Sequence, residues 1–145
     1  MEAGIMYESS TSIVIHAPQD AVWRALTEPD LITRYFFGTR LETDWKPGSD
    51  MTFSGEWEGQ TYQDRGTVLT FSPPSALSYS YWSGFSGTED HPNRRMIIHY
   101  DLQPAGDAVQ LTVRTSGCDT KERAEHSSQN WQHVLTALRQ MLETS

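Results

Sequence analysis

Cysteine is nearly absent: Cys118 is the only one in 145 residues. No intrachain disulfide can form, and a cytoplasmic protein is expected. Basic residues are scarce as well, 11 Lys and Arg against 19 Asp and Glu, a formal net charge of −8. Arg94 and Arg95 are the only adjacent pair. Nucleic acid and anionic membranes are bound through clustered cations that release counterions, so no nucleic-acid partner is expected. No stretch approaches the ~20 apolar residues of a membrane span. The N-terminus, Met1 to Glu8, lacks the basic leader and apolar run of a signal peptide, so no membrane insertion is expected. The length fits one domain over residues 1–145, large enough to fold without disulfides or a structural metal.

What is present is patterned. Tyr7 to His16 reads as a strand, with β-branched Ile13, Val14 and Ile15. Pro18 suits the first position of a helix, and Val22, Ala25 and Leu26 supply its apolar stripe. Pro29 opens a second short helix carrying Leu31, Ile32, Tyr35 and Phe36, which Gly38 stops. From Thr39 the pattern turns to alternation. Pro47-Gly48 marks a turn, Met51, Phe53, Gly55 and Trp57 alternate with polar residues, and Glu58-Gly59-Gln60 reads as a hairpin tip.

Thr61 to Ser72 is a long strand ended by Pro73-Pro74, but both its faces carry apolar residues, which leaves its direction open. Leu77, Tyr79 and Tyr81 form one clean face, and Ile98, Tyr100 and Leu102 another. Met96 to Gln103 and Val109 to Ser116 are joined by a turn over Pro104 to Asp107, and Ser83 to Asn93 reads as a loop. Asp119 is placed to cap the last helix, with Glu122 three residues on. Trp131, Val134, Leu135, Leu138, Met141 and Leu142 then follow helical spacing over three turns. From Asp119 to Glu143 that helix would span ~37 Å. The sum is an α+β chain whose curved antiparallel sheet closes around its terminal helix.

Several segments resemble one family. Ala17-Pro18, Val22-Trp23, Ala25-Leu26-Thr27, Pro29 and Leu31 are similar to the opening of START-like (SRPBCC) domains. Within these they resemble the branch named for the activator of the heat-shock protein 90 ATPase. Gly66-x-Val68-Leu69 before Pro73-Pro74, Leu77-x-Tyr79, Leu111 to Gly117, and His126 followed by Trp131, Leu135 and Leu138 agree in order. Asn130 stands where the family often has Gly. The resemblance implies a helix-grip fold: about six or seven strands, two short helices and a long C-terminal helix over a cavity. Members include lipid and hormone carriers and polyketide cyclases. Chaperone activators of the family carry an additional N-terminal domain, for which 145 residues leave no room.

The aromatic residues are the candidate chemistry. Phe53, Trp57, Tyr79, Tyr81, Tyr100 and Trp131, with Ile98, are the expected lining of a ligand cavity, tyrosine hydroxyls supplying orientation. Ordinary core packing is the competing reading for each ring. Tyr62 and Trp82 belong to the same aromatic set. Phe85, a lone ring among Gly and Ser, is the candidate lid. His99 and Arg114 fall on the faces opposite the apolar sets. His126 and His133 share a helix face without a third ligand, so no metal and no cofactor are expected. Glu56 and Glu58 read as surface charges. Cys118 lacks an obvious His–carboxylate relay.

The expected function is therefore binding of an apolar or amphipathic small molecule between sheet and C-terminal helix. One alternative is a chaperone-associated interaction module, marked by an apolar patch on the convex sheet or an acidic groove. Another is a cyclase- or hydratase-type enzyme, which needs an inward polar pair. No buried carboxylate or histidine is evident to serve it, so no catalytic residue is assigned.

Overall fold

The computed structural model describes residues 7–36, 38–82, 95–118 and 120–144, without the side chains of Trp57 and Thr144. Phe85, Asp119 and the Ser83–Asn93 loop lie outside the described residues. In chain order the elements are β1 (Tyr7–Ile15), α1 (Gln19–Thr27), α2 (Pro29–Tyr35), β2 (Arg40–Glu42), β3 (Asp50–Trp57) and β4 (Gln60–Ser72). Then come β5 (Ala76–Trp82), β6 (Met96–Ala105), β7 (Ala108–Cys118) and α3 (Lys121–Thr144). The seven strands form one sheet in the order β1-β7-β6-β5-β4-β3-β2, antiparallel at every pairing. The sheet curves around α3 in the helix-grip arrangement.

Local chemistry explains most boundaries. Pro29 sits inside the start of α2 with Glu28 as its cap, and Gly38, at φ 74°, lies just past the helix end. Pro18 is the cap of α1 rather than its first helical residue, with extended ψ 145° and its carbonyl accepting from Val22 N–H at 3.1 Å. Glu58 and Gly59, at φ 50° and 81°, make the left-handed pair of a two-residue hairpin between β3 and β4. The β6–β7 hairpin is tighter than its Pro and Gly suggested. Pro104 and Ala105 still belong to β6, and Gly106, at φ 68°, begins the turn. At the start of α3 the Thr120 hydroxyl accepts the Arg123 N–H at 3.1 Å, the contact of an N-cap.

The α3 stripe is the keystone of the core. Trp131, Val134, Leu135 and Leu138 are all buried, and Met141 and Leu142 pack partly buried against the same cluster. The helix lies mainly along β1, with lesser contacts to β7, α1 and α2.

The direction of β4, open in the sequence, is decided by a bulge. Val68 lies opposite Tyr79 and Thr70 opposite Ser78, so Leu69 is the extra residue. Before it Asp64, Gly66 and Val68 face inward; after it Phe71, not Thr70, turns to the core, and Leu69 is 41% exposed. One inserted residue shifts the period-two pattern by one, which is why both faces read as apolar. Gly66 also leaves no room for a side chain: a Cβ there would press on the Ser80 carbonyl oxygen of β5. Gly66→Ala is expected to lower stability by about 1–3 kcal/mol through overpacking. Urea denaturation checks this, and a midpoint equal to wild type would refute it.

Candidate functional site

The inward faces of β5 and β6 hold Tyr79, Ile98 and Tyr100, each at most 6% exposed, and α3 lays Trp131 across them. The rings meet edge to face. Tyr79 and Tyr100 are 6.1 Å apart at 83°, Tyr100 and Trp131 5.7 Å at 89°, and Phe36 and Trp131 5.7 Å at 81°. Phe53 continues the chain, 5.7 Å from Tyr79 and 5.4 Å from Tyr81. Such pairs add roughly 0.5–1.5 kcal/mol each beyond their buried area. Of the residues expected to line a cavity, Phe53, Tyr79, Tyr81, Ile98, Tyr100 and Trp131 face this one interior. The Trp57 side chain and the lid candidate Phe85 lie outside the described residues.

The polar ends of these rings are paired. The Tyr79 and Tyr100 hydroxyls lie 3.5 Å apart, Tyr35 donates to the Ala25 carbonyl at 2.7 Å, and the Trp131 indole N–H donates to Thr115 Oγ1 at 3.2 Å. Burial pushes the Tyr79 phenol up to about 12, partly offset by its hydrogen bond with Tyr100. Burial first, and then the neighbouring Tyr79, raise both Tyr100 and Tyr35. All three are neutral hydrogen-bonding groups at ordinary pH.

The rings nearly fill the hollow. The space left among Tyr35, Phe36, Met51, Phe53, Tyr79 and Tyr100 is about 10 Å³, about what one water requires. On the α1 side a second aromatic group closes the interior: Phe71 stacks on Trp45 at 5.6 Å and packs on Trp23 at 5.4 Å. Trp45 holds this place with a left-handed φ of 61° and an indole N–H donated to the Thr27 carbonyl at 2.8 Å.

One inward group corrects the sequence reading, which found no buried carboxylate. Asp64 is 6% exposed and accepts a hydrogen bond from the Tyr81 hydroxyl. Burial and then the Asp64 charge push the Tyr81 phenol well above its ordinary value. Tyr62, on the same face of β4, places its hydroxyl 2.6 Å from Thr39 Oγ1. The signal for Asp64 was period-two alternation back from Gly66 and Val68, masked by the bulged Leu69 that follows them.

The remaining candidates stand apart from this interior. His99 is half-buried on the opposite face of β6, and Arg114, Glu56, Glu58, His126 and His133 are exposed. Cys118 is 1% exposed with its sulfur 4.0 Å from that of Met96, inaccessible to a substrate. Among the described residues no cluster of His, Cys, Asp and Glu could hold a metal ion, and no helix is long and apolar enough to cross a membrane. Among the described residues the exposed large apolar side chains are Val14, Leu69 and Ile97, on β1, β4 and β6, no two on neighbouring strands. An open groove of about 420 Å³ runs between α2 and the edge strand β2, lined by Pro29, Asp30, Thr33, Arg40, Leu41 and Glu42.

Residues 16–143 match the family of activator of Hsp90 ATPase homolog 1-like proteins. A protein of Cytophaga hutchinsonii with a known solution structure is 35% identical, over 99% of this chain and 97% of its own, with a TM-score of 0.82. A crystal structure from Mesorhizobium loti is 22% identical, over 96% of this chain and 98% of its own, with a TM-score of 0.78. The Aha1 dimer of Colwellia psychrerythraea shares the fold at 16% identity, over 94% of this chain and 96% of its own, with a TM-score of 0.74. No curated protein matches the sequence.

Proposed function

Because the chain belongs to the activator of Hsp90 ATPase homolog 1-like family, a branch of the START-like superfamily, we propose that it binds an apolar or amphipathic small molecule between sheet and α3. The observation that carries this reading is the inner wall. Phe53, Tyr79, Tyr100 and Trp131 meet there as rings, and the Tyr79 and Tyr100 hydroxyls lie 3.5 Å apart among them. With only about 10 Å³ unfilled, the ligand enters by displacing side chains, of which Phe36 and Phe53 border the space. Burying about 300 Å² of ligand apolar surface contributes roughly 7–8 kcal/mol, from which ring displacement and association costs are subtracted.

Native mass spectrometry of protein purified without detergent from its own host, followed by solvent extraction, tests this. One small molecule per chain is the expected result. With that ligand or an apolar dye, Tyr79→Ala and Tyr81→Ala are expected to weaken binding by about tenfold each, about 1.4 kcal/mol. Unchanged affinity in both removes them from the site.

A second reading, docking to a chaperone, draws on the family's name and on the groove between α2 and β2, where Asp30 and Glu42 accompany Arg40. An empty protein that ignores lipids and aromatic compounds but binds purified Hsp90 would establish it in place of the first.

A further inference from the structure

We infer that the ligand carries a neutral carbonyl on an apolar body, a ketone, ester or amide, whose oxygen is received between the hydroxyls of Tyr79 and Tyr100. The inference rests on the ligand-binding reading above and names the ligand class. Neighbouring ring donors are already used: Tyr35 donates to the Ala25 carbonyl, Tyr81 to Asp64, and the Trp131 indole N–H to Thr115. Among the described residues, the hydroxyls of Tyr79 and Tyr100 have only each other. Two hydroxyls bring two O–H donors, and one contact between them uses one at most. At 3.5 Å that contact is also longer than the ~2.7–2.8 Å of a good O–H···O hydrogen bond. Both residues are buried, where an unused donor is costly.

Tyr79 and Tyr100 both border the unfilled space in the hollow. A single acceptor oxygen bridges a gap of 3.5 Å when it stands about 2.8 Å from each hydroxyl. A carbonyl oxygen has two lone pairs and takes both donors at once. Burial keeps the two phenols protonated at neutral pH, so they meet the ligand as donors. Among the described residues that border the space there is no Lys, Arg, His, Asp or Glu. An ionised end group would shed its hydration there without a countercharge, a cost that a neutral carbonyl avoids. A hydrocarbon of the same shape fills the same room and leaves the donors unused. A site built to hydrogen-bond its ligand discriminates against such an analogue. The apolar body takes the room that Phe36 and Phe53 vacate, and the carbonyl fixes which end lies against β5 and β6.

The test uses three naphthalene probes of one shape, titrated calorimetrically into the whole chain at neutral pH: 2-acetylnaphthalene, 2-isopropenylnaphthalene and 2-naphthoate. The ketone is expected to bind about tenfold more tightly than the alkene, with the carboxylate weakest. The double variant Tyr79→Phe, Tyr100→Phe removes both oxygens and keeps both rings. It is expected to bring the ketone down to the alkene while leaving alkene binding within about twofold. If the wild-type protein binds the alkene or the carboxylate as tightly as the ketone, or if the double variant keeps the preference, the inference is overturned while ligand binding stands. If none of the three binds, the ligand-binding reading falls and this inference with it. Should the double variant fail to fold, visible by circular dichroism, the infrared stretch of an isotope-labelled ketone carbonyl on the wild-type protein decides. A stretch below its value in an apolar solvent is the expected result, and an unshifted one overturns the inference.

Discussion

Trp131→Ala is expected to destabilise the protein by about 3–5 kcal/mol, the range for deleting a buried aromatic side chain. Three losses coincide at this position. The indole is 5% exposed and sits between α2 and the sheet, so its removal leaves a cavity that neighbouring elements must collapse into. Its edge contacts with Phe36 and Tyr100, both at 5.7 Å, disappear together. The Thr115 hydroxyl, 1% exposed, loses its indole donor and keeps only the 3.4 Å contact with Ser127. Domains of this size are typically stable by about 5–15 kcal/mol, so the loss is a substantial fraction of the total. Trp131→Phe keeps part of the ring contact and is expected to lose less. Urea denaturation followed by circular dichroism reads both, and a loss below about 1 kcal/mol for the alanine variant would mean that α3 grips the sheet without its tryptophan.

The second large effect is expected in alkali. Tyr35, Tyr79, Tyr81 and Tyr100 all have phenols raised by burial, Tyr79 to about 12. In the unfolded chain a tyrosine ionises near 10. Between those values the unfolded chain has released a proton that the folded chain retains, so stability falls as pH rises. The contribution of each phenol is whole below about pH 10 and, for Tyr79, is lost progressively towards about 12. Four such groups acting together make unfolding in alkali steep. Phenolate absorbance from these four should therefore rise in the same narrow transition that removes the far-ultraviolet helix signal. A gradual titration of all six tyrosines around pH 10, with native dichroism intact, would show that the interior is open to water.

Legibility in the sequence followed the regularity of each element. The α3 stripe from Trp131 to Leu138 was readable because a helix buried on one face repeats its apolar residues with a single period. Leu77, Tyr79 and Tyr81, and Ile98, Tyr100 and Leu102, were readable because half-buried strands alternate without interruption. Strand β4 was not, because Leu69 interrupts its alternation and no local residue type marks a bulge. Asp64 was hidden for the same reason. An aspartate between Gln63 and Arg65 reads as a surface charge until the register with Tyr81 and Phe53 is known.

By itself, then, the sequence determined the order of the elements apart from the short edge strand β2, the two inward faces of β5 and β6, the helix that packs against the sheet and the family to which the chain belongs. These follow from local periodicity, from proline and glycine at element ends, and from motifs that stand in the order the family resemblance requires. Tertiary structure alone decided that the aromatic interior is packed to a remnant of about 10 Å³, because filling depends on the rotamers of rings contributed by separate elements. It also decided that a carboxylate stands among those rings, because one bulged residue sets which side of β4 faces the helix. Periodicity reports which residues can share a face; only the pairing of strands and the packing of side chains report what that face encloses.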